Sequence, residues 1–238
     1  MEQNKFIWAD LSSYDPQKIR SFYETIFDWS YHDTYGYLTA YIGNSERSGL
    51  YKTPEKFQKI KMPSFWMSYI QVESVSETVE KARLLGGIIE MVDLENSIGG
   101  IALIRDAQGA GFTVYEGTYL DARTNSEENT LIFNELHVSN AKKAIDFYQD
   151  LFNWECQWIN STSVDVYCKA SKKKLASIYQ IDNFFKGKYQ YWICTFGVSN
   201  IQKTLVKVKQ YGGTVIFEEE NRAMCSDGSE AFFYIQEV

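Results

Sequence analysis

Histidine and cysteine are scarce in this chain. Among 238 residues there are two histidines, His32 and His137, and four cysteines, Cys156, Cys168, Cys194 and Cys225. The cysteines lie far apart, all in the second half, with no Cys-x-x-Cys pair. They read as reduced thiols of a cytoplasmic protein, which argues against a disulfide frame or a structural zinc site. No apolar run approaches the ~20 residues needed to cross a bilayer. The polar start Met1-Glu2-Gln3-Asn4-Lys5 leads into no cleavable apolar stretch. No membrane association is therefore expected. Positive charge is also in deficit: the formal net charge is −7, which argues against nucleic acid as a partner. Lys172-Lys173-Lys174 reads as a solvated turn between two strands. Gly-x-Ser-x-Gly and phosphate-loop motifs are absent from the sequence.

What the chain has in excess is aromatic residues, 16% of the total, with 17 Tyr, 15 Phe and 6 Trp. Most would fill a core, and a few could line a pocket for a flat ligand. The length suits two domains of about 120 residues each.

An internal repeat carries the organisation. The stretch from Asp15 to Trp29 predicts a helix capped by Asp15, with Pro16 at its first position and Ile19, Phe22, Tyr23, Ile26 and Phe27 on one face. A shift of 125 places turns Asp15 into Asn140, Phe22-Tyr23 into Phe147-Tyr148, and Phe27-Asp28-Trp29 into Phe152-Asn153-Trp154. Phe6 to Ser12 alternates as a strand does. Trp29 to Tyr51 reads as short strands broken at Gly36, Gly43-Asn44 and Gly49, and Lys52 to Pro63 as a connection. A second unit follows: a strand over Phe65 to Val72, a helix opened by Ser74 and Glu77 and stopped at Gly86-Gly87, then strands over 88–92, 101–105 and 111–116. Gly212-Gly213 answers Gly86-Gly87 with a shift of 126. The expected division is domain 1 over 1–117, a linker over 118–129, and domain 2 over 130–238.

The capped helix with Phe22-Tyr23 and Phe27-x-Trp29, the Gly86-Gly87 stop, and the run Ile101-Ala102-Leu103-Ile104-Arg105-Asp106-Ala107-Gln108-Gly109-Ala110 resemble the vicinal oxygen chelate superfamily. That is the glyoxalase, bleomycin-resistance and extradiol dioxygenase group. The resemblance is to its tandem glyoxalase-like members and spans nearly the whole chain. It implies an α+β fold: tandem domains, each of two βαβββ modules forming a cup-shaped mixed sheet with the helices outside.

Metal enzymes of this family take one ligand from each of four strands, usually His, Glu or Gln. Carried onto this chain, those positions fall at Trp8 with Asp10 nearby, around Gly49 to Tyr51, near Met67 and at Thr113 in the first half. In the second half they fall at Phe133 with Glu135 nearby, around Ser177 to Tyr179, near Ile193 and near Phe232. The usual ligands are absent there, so no metal or other cofactor is expected, although a divalent ion is what the family would supply. Glu135 and His137 share a strand face and are the candidate catalytic pair. Trp8, Asp10, Trp66, Phe133, Tyr191 and Trp192 are the candidate ligand-binding residues. The expected function is metal-independent binding or sequestration of a small molecule, by a monomer or homodimer. The alternative is a metal-dependent lyase or isomerase of glyoxalase type acting on a vicinal-oxygen substrate.

Overall fold

A computed structural model describes residues 4–238. The first three residues of the polar start lie outside the described residues. In the first half the order is β1 (Lys5–Ser13), α1 (Pro16–Phe27), β2 (Ser30–Thr34), β3 (Tyr37–Ile42), β4 (Ser45–Lys52), α2 (Glu55–Lys59), β5 (Phe65–Gln71), α3 (Val75–Leu84), β6 (Ile88–Asp93), β7 (Gly100–Arg105) and β8 (Gly111–Glu116). The second half repeats it: β9 (Leu131–Val138), α4 (Ala141–Phe152), β10 (Trp154–Trp158), β11 (Ser163–Cys168), β12 (Lys174–Gln180), α5 (Asn183–Lys186), β13 (Tyr191–Val198), α6 (Ile201–Gln210), β14 (Thr214–Glu218), β15 (Arg222–Ser226) and β16 (Phe232–Glu237).

Each half builds one eight-stranded mixed sheet. The orders are β2-β3-β4-β1-β5-β8-β7-β6 and β10-β11-β12-β9-β13-β16-β15-β14. The α+β architecture that the family resemblance implies is what the chain adopts. Both halves place the same irregularity in the second strand of the first hairpin, at Ala40/Tyr41 and at Val166/Tyr167.

The compact units do not follow the sheets. One takes the chain up to Ile7, Ser68–Asp121 and Asn134–Ile193, and the other Trp8–Met67, Ala122–Phe133 and Cys194–Val238. Each unit thus joins one module from each half. In one unit α3 packs on α4, and in the other α1 packs on α6. The stretch expected to be a linker forms no helix or strand, yet Leu120 and Ala122 are buried. The Tyr115 hydroxyl accepts from the backbone N–H of Tyr119 at 2.9 Å and of Leu120 at 3.3 Å.

The repeated sequence marks explain one another within these units. Asp15 and Asn140 cap their helices through Lys18 N–H and Lys143 N–H. Asp28 and Asn153 close them in the left-handed conformation, with φ of 51° and 55°. Of each glycine pair, the first has positive φ, 84° at Gly86 and 88° at Gly212, as a helix stop requires. The second leaves space: a Cβ on Gly87 would meet the Phe147 ring at 3.3 Å, and one on Gly213 would meet the Phe22 ring at 2.8 Å. So the Phe of each Phe-Tyr pair seats on a glycine from the other half.

The adjacent tyrosine completes the joint. Tyr23 Oη donates to Asp227 at 2.8 Å and accepts from Trp66 Nε1 at 3.2 Å. Tyr148 Oη donates to Asp106 at 3.1 Å and accepts from Trp192 Nε1 at 2.9 Å. Each aspartate also holds its own turn, Asp106 accepting from Gln108 N–H and Ala110 N–H, and Asp227 from Ser229 N–H and Ala231 N–H. Burial raises both carboxyls above the usual carboxylate range, against the pull of these hydrogen bonds. Burial, and then the neighbouring aspartate, holds both tyrosines well above their ordinary value.

Two expectations need correction. Gly49 does not break a strand but sits inside β4. Trp66 and Trp192 do not belong with a ligand face. They are buried at 4% and 3% exposure, and their indole N–H groups are committed to Tyr23 and Tyr148. Strand parity explains it: Trp66 alternates with Ser68 and Ile70, and Trp192 with Cys194 and Phe196, on the face that carries the helix-side core.

Candidate functional site

Alternation also defines the opposite face of each sheet. Ala9 and Leu11 of β1 pack with the buried face of α1, which turns Asp10 and Ser12 away from it. Leu136 and Val138 of β9 pack with α4, which turns Glu135 and His137 away likewise. The register makes the two sheets comparable position by position. Asp10 lies opposite Gly49 and Ser12 opposite Tyr51. Glu135 lies opposite Ser177 and His137 opposite Tyr179. Across the next ladder, Tyr37 and Thr39 face Tyr51 and Gly49, while Ser163 and Asp165 face Tyr179 and Ser177.

In the first sheet the carboxylate is closed off by its own neighbours. Asp10 Oδ1 accepts from Trp8 Nε1 at 2.7 Å and from Tyr37 Oη at 2.8 Å. Tyr37 can reach it because residue 49 is glycine: a Cβ there would collide with the Tyr37 hydroxyl and the Asp10 carboxylate. Burial, reinforced by the Asp10 charge, raises the Tyr37 and Tyr51 hydroxyls above their ordinary range. Asp10 itself is 2% exposed.

In the second sheet the same position holds a carboxylate beside an imidazole. Glu135 Oε2 lies 3.5 Å from His137 Nε2, with both side chains buried. Two half-buried tyrosines flank the imidazole, Tyr179 edge-on at 5.9 Å and Tyr191 tilted at 5.5 Å between ring centroids. Burial pushes the Tyr191 hydroxyl up to about 12. Beside them Asp165 accepts from Ser177 Oγ at 3.0 Å and pairs with Lys174 at 2.7 Å. Lys174, read as part of a solvated turn, begins β12 and pairs with Asp165, Lys172 pairs with Glu155, and all three lysines of the run are exposed.

The structure thus brings Glu135 and His137 together, and joins Trp8 to Asp10. Tyr191 lies against His137. Phe133 is half-buried with the Arg123 guanidinium 5.8 Å from its ring centroid. Sequence reasoning did not assign Tyr37 or Asp165, and met Tyr179 only as the edge of a carried-over metal position; all three reach these sites from neighbouring strands, where Tyr37 answers Ser163 and Tyr51 answers Tyr179, so the 125-residue shift that pairs Asp10 with Glu135 does not carry to them.

As to metal, the donor set does not fit. Among the described residues no group of three or more His, Cys, Asp or Glu side chains converges to hold an ion. Glu135 and His137 supply two donors, and the Asp10 oxygen nearest its neighbours already accepts two hydrogen bonds.

Two eight-stranded sheets, each of two strand-helix-strand-strand-strand modules, define the class: the chain has the fold of the vicinal oxygen chelate superfamily in its two-domain, glyoxalase-like form. Its relatives are consistent with this. The proposed glyoxylase CFP32 of Mycobacterium bovis and that of Mycobacterium tuberculosis are each 25% identical over 224 residues, covering 89% of this chain and 84% of theirs. The Mn(II)-bound glyoxalase of Novosphingobium aromaticivorans superposes with a TM-score of 0.71 at 9% identity, over 99% of this chain and 82% of that one. A variant of homoprotocatechuate 2,3-dioxygenase from B. fuscum gives 0.70 at 12% identity, over 99% and 71%. The 2,3-dioxygenase LapB of Pseudomonas sp. KL28 gives 0.68 at 9%, over 100% and 94%. No family model matches the sequence.

Proposed function

We propose that this chain binds a small molecule without a metal, on the tyrosine-lined face of its second sheet. The observation that carries this is the cluster of half-buried Tyr179 and Tyr191 around the buried Glu135–His137 couple. Tyrosine offers a large flat apolar surface with a polar tip, which suits recognition of a ring or a hydroxylated ligand. The couple can accept or donate a hydrogen bond to a polar group of that ligand, depending on where its proton resides. The donor set supports binding over metal chemistry, since two buried donors do not make an open site for vicinal oxygens.

The glyoxalase-type lyase or isomerase is the second reading, favoured by the Glu135–His137 contact itself and by the relatives' names. Titrating the protein with phenol and catechol, followed by Trp and Tyr fluorescence, separates the two when repeated after dialysis against a chelator. The binding reading expects saturable quenching that survives dialysis and is weakened at least tenfold in Tyr191→Ala. Quenching that vanishes with the chelator and returns with Mn(II) supports the metal enzyme instead. No saturable response to either compound in either state sinks the binding reading for ring-bearing ligands.

A further inference from the structure

Thr195 poses a separate question. It lies in β13 between Cys194 and Phe196, whose side chains belong to the helix-side core, so its own side chain is on the opposite face. It is 1% exposed, and its Oγ1 has no hydrogen-bond partner. A buried hydroxyl left in that state is costly, and valine would fill the same volume without the penalty.

The register shows what lies beside it. Thr195 is opposite Tyr234, Tyr234 is opposite Met224, and Arg222 is opposite Gln236. Ala223, Cys225, Phe233 and Ile235 fill the helix-side core, so Arg222, Met224 and Tyr234 share the face of Thr195. Arg222 folds back along β15 until its guanidinium carbon is 3.7 Å from the Tyr234 ring centroid. Stacking holds the cation flat against a buried wall and orients its N–H groups along the edge of the plane, the geometry by which a guanidinium meets a planar or tetrahedral oxyanion. In the same compact unit Arg123 stands over Phe133, its guanidinium pushed down to about 10 by burial. In a chain of net charge −7, an anion is held here by local donors, since the long-range field repels it.

We infer that the β13–β16–β15 face of the second sheet binds a small oxyanion, with Arg222 as its charge anchor and the Thr195 hydroxyl as its hydrogen-bond partner. The chemistry is shared by the carboxylate of an organic acid and by inorganic phosphate. The inference does not rest on the Glu135–His137 reading, which concerns other residues.

Thermal unfolding of the full chain tests it, with benzoate and inorganic phosphate as probes and benzamide and chloride at matched ionic strength as controls. A saturable rise in Tm with benzoate or phosphate, absent with benzamide and chloride, is the expected result; whichever probe is tighter identifies the source. Arg222→Gln should weaken the response at least tenfold. Thr195→Val should unfold at the same Tm or higher without anion, and lose most of the response to it. No saturable shift with either anion, or an unchanged response in Arg222→Gln, overturns the inference. A lower Tm for Thr195→Val without anion overturns it too, because the hydroxyl then has a partner inside the protein.

Discussion

Asp10 and Glu135 stand at one position of the repeat, in matching strands of two matching sheets, and their surroundings have diverged. Asp10 is held by an indole and a phenol, both donors, both supplied by the protein. Glu135 is met by an imidazole, which can give or take a proton. Three neighbouring exchanges accompany this. Ser12 becomes His137, Gly49 becomes Ser177, and Tyr37 becomes Ser163. The first sheet has completed the hydrogen bonding of its carboxylate internally. The second has replaced the large inward phenol with a small residue and surrounded a titratable couple with tyrosines. A duplicated scaffold therefore carries one carboxylate closed off by its own donors and one paired with an imidazole, which is why the proposed binding face is assigned to the second sheet.

The largest effect should come from substituting the glycine that permits closure. Gly49→Ala places a methyl group on the Tyr37 hydroxyl and the Asp10 carboxylate, and should cost about 3 kcal/mol or more. Its counterpart Ser177→Gly should cost about 1 kcal/mol, from lost strand preference and one hydrogen bond. Urea denaturation of both variants checks this; equal losses would break the comparison.

Next in size are the joints that the halves share. Tyr148→Phe removes a partner from both Asp106 and Trp192, and Tyr23→Phe does the same to Asp227 and Trp66. Each should lose about 1–3 kcal/mol. Similar losses for the two would sharpen the view that the joints stayed equivalent while the carboxylate centres diverged.

The smallest effect is on pH dependence. Burial raises Asp106 and Asp227 in the folded state, so the native protein holds these protons more tightly than the unfolded chain, where an aspartate titrates near ~3.9. Their contribution is fully present below that value and is lost as pH rises through the folded pKa. Relative to Asp106→Asn or Asp227→Asn, the wild type should gain stability as pH falls from 7 towards 4, by chemical denaturation at each pH. A gain in the opposite direction would contradict the burial of these carboxyls.

Much of the fold was legible because its marks are local and repeated. Helix caps, the Phe22-Tyr23 stripe and the glycine stops act through nearest neighbours, and the shift of 125 reproduced them. The reason those marks recur together was hidden, since Phe22 seats on Gly213 and Tyr23 bonds Asp227, contacts that close across almost the whole chain. Trp66 and Trp192 were misplaced because an aromatic at a strand's start has no readable facing until its neighbours are paired. Glu135 and His137 were legible because two residues along a strand share a face. Tyr37 and Tyr179 were not, because inter-strand register depends on loops and on the irregularities at Ala40/Tyr41 and Val166/Tyr167.

The central claim is that the second centre works without a metal. Elemental analysis of the native protein, purified from cells grown with added manganese, iron, nickel and zinc, tests it most directly. The account predicts less than a tenth of an equivalent of any divalent ion per chain, unchanged in Glu135→Gln. One equivalent per chain that disappears in Glu135→Gln would contradict it.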